Sequence, residues 1–156
     1  MTPPATGMNL GNIRTFIGKE VGVSEWECVD QRRIEAFAAN TGDDQWIHVD
    51  PERAVRESPY GATIAHGYLL LSLLAPTTLN IVFKPAQIRT TINYGVDRVR
   101  FISPVKAGAR VRNRIKLVAA EDKGDGRTLI TTASELEIEG ESKPALIAQA
   151  LWMALA

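Results

Sequence analysis

The sequence is poor in the residue types that usually announce a function. Cysteine occurs once, as Cys28. No disulfide can form within the chain, and a reducing, cytoplasmic setting is the expectation. Histidine occurs twice, as His48 and His66. The pair His48-x-Asp50 is too little for a convincing zinc set, and no metal is expected. Charge of either sign is not in excess: eighteen basic residues balance eighteen acidic ones. Nucleic acid and anionic membrane surfaces therefore have no electrostatic claim as partners. The longest strongly apolar run, GYLLLSLLA from Gly67 to Ala75, falls far short of the ~20 residues of a membrane span. The start, MTPPATGMNL, lacks a basic region followed by an apolar one and does not read as a signal peptide. No GxGxxG or other phosphate-cradling glycine loop is present, so a nucleotide-binding Rossmann unit is not expected.

What is present suits one domain over residues 1–156, with residues 1–11 as a loose, proline-bearing arm. A chain of this length buries roughly 70% of its unfolded surface and needs no covalent staple. Zero net charge gives little colloidal repulsion, so self-association is expected.

The order of elements reads as α+β. SEWECV alternates and suits a short strand, with Cys28 as a core or half-buried thiol. Asp30 is placed to cap a helix whose Ile34, Phe37 and Ala38 share one face, and Gly42 lies where a helix C-terminus is expected. A second helix starts at Asp50 with Pro51 in its first position. Asp43 to Val49 is then a loop held between two helices. Ala65 to Asn80 is apolar on all sides in its middle and predicts a buried helix that Pro76 ends or kinks. Everything after Asn80 reads as strands: four long antiparallel ones, with Gly95 at a bulge or close approach and DKGDG as a hairpin turn. One sheet curving around one apolar helix is the implied architecture.

The candidate chemistry starts with Asp43 and His48, five residues apart. By spacing alone, a capping aspartate near a helix end and a histidine paired to a surface acid are the favoured explanation. A carboxylate beside an imidazole is also a common general-base arrangement, and Trp46 and Ile47 would supply water-excluding walls. Asp44 competes with Asp43 for the role. His66-Gly67 opens the buried helix: His66 either caps it or belongs to a site in which the Gly67 amide meets a developing oxyanion. Asn93, on the strand INYGVDRVRF, is either solvent-facing or bonded near the site.

TGDDQWIH resembles the signature of the MaoC-like, hydratase-2 family, Gly-Asp-x-Asn-Pro-aliphatic-His, through Gly42, Asp43, Ile47 and His48. Gln45 and Trp46 replace the usual Asn and Pro, as in a branch similar to nodulation protein N. The resemblance continues through HVDPERA, TIAHGYLLLSLL and INYGVDRVRF and spans roughly Val21 to Met153. It implies the hot dog fold, an antiparallel sheet wrapped around a long central helix, and a homodimer with the acyl-CoA tunnel near the subunit interface. It implies (R)-specific hydration of trans-2-enoyl-CoA to (R)-3-hydroxyacyl-CoA, and the reverse, with no metal or redox cofactor. Asp43 and His48 take the catalytic positions, and the Gly67 amide takes the oxyanion position. Trp46, Tyr68 and Leu71 are candidate tunnel residues, and His66 and Asn93 are candidates for site support. The serine that some members carry further along the helix is replaced by Ala75, with Ser72 one turn earlier. Two rival readings are a hot dog acyl-CoA thioesterase and a non-catalytic acyl-CoA-binding module. The absence of an acid from Ala65 to Leu79 weighs against the first.

Overall fold

The Asp30 side chain accepts the Arg33 N–H at 2.8 Å and starts helix α1, Gln31–Thr41. Gly42 ends it with φ +80°, a left-handed conformation that costs glycine little. In the computed structural model, which describes residues 5–155, this helix leads into a second turn of helix that the sequence does not reveal. Trp46–Val49 forms the one-turn helix α2, so only residues 43–45 are irregular, rather than the whole interval to Val49. Asp50 then caps α3, Pro51–Glu57, through the Arg53 N–H at 2.9 Å, with Pro51 in the first turn as expected.

The central helix starts two residues later than the composition suggests. Ile64 pairs with Lys106 as an isolated bridge, and the Ala65 N–H donates to the Val105 carbonyl at 2.8 Å. Ala65 and His66 are therefore extended, and α4 is Gly67–Ser72. Pro76 does not end the helix. Its missing N–H leaves the Ser72 carbonyl unbonded by the chain four residues on, and the path breaks at Leu73. It resumes as α5, Leu74–Thr78, and closes as a π-helical turn at Leu79–Phe83.

Strands β1 (Glu20–Val23), β2 (Glu27–Val29), β3 (Thr90–Phe101), β4 (Ala109–Gly124), β5 (Arg127–Ile138) and β6 (Leu146–Leu155) form one antiparallel sheet in the order β1-β4-β5-β6-β3, with β2 also on β4. The β4–β5 hairpin turns at Gly124, Asp125 and Gly126, all at positive φ, as DKGDG predicts. A bulge interrupts β3 between Asn93 and Gly95. The inner face of the sheet packs on the helix in two apolar clusters, one around Phe83, Ile115, Ile130 and Trp152 and one around Ile34, Leu70, Leu136 and Leu146. Each such side chain contributes about 1.5–3 kcal/mol on burial. Asn113, which breaks the alternation of β4, is fully buried and donates from Nδ2 to Thr77 Oγ1 at 2.9 Å, tying sheet to helix.

Three expectations need correction. The loose arm falls partly on residues 1–4, outside the described residues. From Ala5 onward it is held, because Ala5 bonds Val21 and Met8 enters the core at 4% exposure. Cys28 is exposed rather than half-buried, since it lies on the outward side of β2. The central helix is not buried all round: Tyr68 is 70% exposed. β3 ends the strand order as an edge strand, and none of its residues is buried. The expectation of no membrane span stands beside one fact: no helix among the described residues is long and apolar enough to cross a membrane.

Candidate active site

Two segments meet to form the site. The α2 turn presents His48, and the extended stretch before α4 presents His66 and then Gly67. They are stitched by backbone: the Ile64 N–H donates to the Ile47 carbonyl at 3.0 Å. His48 Nδ1 lies 2.7 Å from the Ile64 carbonyl oxygen. A carbonyl only accepts, so Nδ1 carries the proton and Nε2 keeps its lone pair. By the same reasoning His66 Nε2, 2.8 Å from the Asp43 carbonyl oxygen, is the protonated nitrogen of that ring. His66 Nδ1 is left buried without a partner among the described residues.

The two imidazoles stack with centroids 3.8 Å apart and an interplanar angle of 24°, and Phe37 lies 4.9 Å from the His66 ring. His48 is 8% exposed and His66 2%. Burial pushes the pKa of His48 below its usual value. The Ile64 carbonyl opposes this, the neighbouring His66 adds to it, and the Asp43 carboxylate opposes it weakly. The net result is an imidazole held neutral at physiological pH, with a lone pair on the nitrogen that the protein does not use.

Asp43 is exposed, and its carboxylate, His48 and His66 bring one polar atom each to within 4.8 Å of one another. Asp44 is not part of this group, so geometry ranks the two acids where spacing did not. The same three residues are a nominal ligand set for a metal, but they fit one poorly. An imidazole binds an ion in its own ring plane, and nearly parallel stacked rings direct their lone pairs along separate planes. Two of the four ring nitrogens are also committed to carbonyls.

Gly67 is the first residue of α4, where helical amides have no intrahelical acceptor. A Cβ at this position would lie 3.0–3.1 Å from three atoms of the Phe101 ring, so any side chain here would push that ring back by a few tenths of an ångström. His48, Tyr60, Gly67, Leu70 and Phe101 line a cleft of ≈ 340 Å³. A second hollow of ≈ 420 Å³ lies further along the helix, between Leu71, Ala75, Val96 and Ala150.

The remaining sequence candidates are dispersed. Trp46 packs under the Arg53 guanidinium, 4.3 Å from the ring centroid, and is not among the cleft-lining residues. Tyr68 stands edge-on to Phe101 at 6.1 Å. Asn93 pairs in register with Trp152 and, with Tyr68 and Ser72, lines the second hollow rather than the cleft. His66 makes no capping bond to its helix; its ring bonds the Asp43 carbonyl and stacks on His48 instead. The sequence did not point to Tyr60, Phe101, Gln31 or Thr63. The first two lie in turn and strand segments with no periodic signal; Gln31 bonds the His48 backbone carbonyl, which any residue could supply, and Thr63 bonds Gln31 itself across thirty-two residues of sequence.

The family is decided by comparison with known proteins. A sequence profile described as MaoC like domain matches residues 12–139. The chain belongs to the MaoC-like dehydratase family. It is 48% identical over 141 residues to nodulation protein N of Rhizobium leguminosarum bv. viciae, covering 90% of this chain and 88% of that one. It is 41% identical over 143 residues to 3-hydroxyacyl-thioester dehydratase Z of Mycobacterium tuberculosis, covering 92% and 93%. The R-hydratase PhaJ1 of Pseudomonas aeruginosa superposes with a TM-score of 0.70 at 25% identity, over 87% of this chain and 82% of that one. The MaoC-like architecture is thus the hot dog fold, with the sheet of β1–β6 wrapped on the segmented helix from Gly67 to Phe83.

Proposed function

We propose that this MaoC-like protein hydrates trans-2-enoyl-CoA to (R)-3-hydroxyacyl-CoA and catalyses the reverse dehydration. The observation that carries the reading is the His48 tautomer: Nδ1 is bound to the Ile64 carbonyl, which leaves Nε2 free as a base beside the Asp43 carboxylate. One water held by this pair loses a proton to it as the hydroxyl adds to Cβ, and the pair returns a proton to Cα on the same face. The thioester oxygen gathers negative charge as the enolate develops, and the Gly67 N–H is the donor we assign to it. One such donor is typically worth about 3–4 kcal/mol in the transition state. Every atom of the product comes from water and the enoyl thioester with no net change of oxidation state, so the reaction calls for no redox cofactor.

The acyl tail is assigned to the hollow beside Leu71, Ala75, Val96 and Ala150, which opens onto the β3 face. Tyr68, Tyr94 and Val96 line the hollow and are exposed. A second copy pairing at this edge would cover the hollow and make a homodimer.

The test is the loss of absorbance of the conjugated thioester on adding crotonyl-CoA, with chiral analysis of the product. Hydration to the (R) alcohol supports the proposal. Free CoA released without hydration would reassign the site to thioester hydrolysis, and binding without either change would leave an acyl-CoA-binding module.

A further inference from the structure

His48 is held from two sides, and only one of them is the ring. On the other side, Gln31 Nε2 donates to the His48 backbone carbonyl at 2.8 Å. Gln31 is the first residue of α1, fixed by the Asp30 cap on that turn. Its amide has a defined orientation. The His48 carbonyl demands the NH₂ end, so Oε1 points the other way and accepts the Thr63 hydroxyl, at 2.5 Å. Thr63 is buried, at 3% exposure, and directly precedes Ile64, whose carbonyl sets the His48 tautomer. One side chain thus spans both segments that define the base. It holds the carbonyl of the residue that carries the imidazole and the residue next to the one that orients it.

We propose that Gln31, oriented by Thr63, is a positioning residue that sets the angle of the His48 imidazole toward the reacting water. The proposal rests on the hydratase reading for its kinetic consequence, although the clamp itself does not depend on that reading. Without the Thr63 hydroxyl the amide is free to turn over, and its oxygen then faces the His48 carbonyl repulsively. Without the amide, the Ile64–Ile47 backbone bond and the ring bond to Ile64 still tie the α2 turn to the 63–66 segment, but no bond among the described residues holds the His48 carbonyl to α1. Misplacement of a catalytic group by about 1 Å is enough to cost up to about a hundredfold in rate.

The test compares Gln31→Ala, Gln31→Glu, Thr63→Val, Thr63→Ser and the Gln31→Ala/Thr63→Val double variant in the full-length protein. Gln31→Glu keeps the volume and the acceptor for Thr63 but removes the donor, which separates positioning from packing. Expected are falls in kcat of about 10- to 100-fold for Gln31→Ala, Gln31→Glu and Thr63→Val with KM little changed. The double variant should be no worse than the weaker single, and Thr63→Ser should restore the rate. Nitrogen-15 spectra of the His48 ring should move from a single Nδ1-protonated tautomer to a mixture in the impaired variants. Additive effects, a rate loss confined to KM, or an unchanged His48 tautomer in Gln31→Glu would overturn the proposal. Were the wild-type protein to hydrate no enoyl thioester while Gln31→Glu still shifted the tautomer, the clamp would stand and the activity would be reassigned.

Discussion

Two regions meet at Gly67 and differ in how their bonding is completed. Before it, the segments 43–50 and 63–66 are closed within the chain. His48 is bonded at its ring and at its carbonyl, His66 holds the Asp43 carbonyl, and Ile64 bonds Ile47. After it, the outer side of α4 and the free edge of β3 are left open, with Tyr68, Tyr94 and Val96 at 70%, 62% and 49% exposure. One chain therefore holds the proposed water-activating pair in place but leaves the side proposed for the acyl tail open. The chemistry should be broken by local changes in the first region, and substrate retention by changes to association in the second.

The largest effect is expected in the first region. Asp43→Asn and His48→Gln should each lower kcat by about 10²–10⁴-fold, the usual range for removing a positioned acid or base. The melting temperature should hold in Asp43→Asn, because Asp43 is exposed and its side chain makes no hydrogen bond among the described residues, whereas His48→Gln gives up the buried ring's bond to Ile64 and should lower it somewhat. Steady-state hydration kinetics together with a thermal melt check this. Near-wild-type turnover in either variant would break the assignment of the pair.

The second region is probed by Val96→Asp. Burying an uncompensated carboxylate at a β3–β3 contact costs about 3–5 kcal/mol. That is at least about a hundredfold in the dimer dissociation constant. Light scattering should show a monomer, and hydration of longer acyl chains should fall while the His48 tautomer stays intact. A protein that remained monomeric and active in both forms would show that the open face needs no partner.

A smaller, pH-linked effect sharpens the comparison. The pKa of His48 is lowered by burial, so the folded state resists protonation while the unfolded chain binds its proton near pH ~6.5. Below that pH, down to the lowered folded value, the unfolded state carries more protons. Stability should therefore fall on acidification by up to about 1.4 kcal/mol per pH unit across that window. The acid limb of kcat/KM should lie below pH ~6.5 for the same reason. Denaturant melts at several pH values check the first, and His48→Gln should flatten the dependence.

The legible parts of the sequence were those with local causes. Asp30, Gly42, Pro51 and DKGDG act within a few residues of themselves, and each element boundary they imply is found. The α2 turn has only four residues, too few to show a helical period. The late start of α4 follows from the pairing of Ile64 with Lys106, forty-two residues away. The exposure of Tyr68 and β3 follows from strand order, which no single segment encodes. Within the site, acid and histidine types were legible. The groups that orient them, the Ile64 and Asp43 carbonyls and the Gln31 amide, were not, because a backbone acceptor leaves no mark on residue type.

The smallest effect is expected at Asp30, which stands behind the first region without touching its chemistry. Asp30→Ala removes one N-cap bond and should cost about 1 kcal/mol of stability, read from a denaturant melt. Gln31 lies in the turn this cap starts, so the substitution tests how the clamp is supported. If Gln31 is held mainly by its bonds to Thr63 and to the His48 carbonyl, kcat should change little while stability falls. If instead the cap is what keeps Gln31 in place, kcat should fall along with stability, and the His48 ring should show the mixed tautomers expected of Gln31→Glu. The cap makes one hydrogen bond, at 2.8 Å, to an amide two residues past Gln31. The clamp makes two, to Gln31 itself. The balance of those bonds favours the first outcome: a base held by contacts across the fold rather than by the helix end beside it.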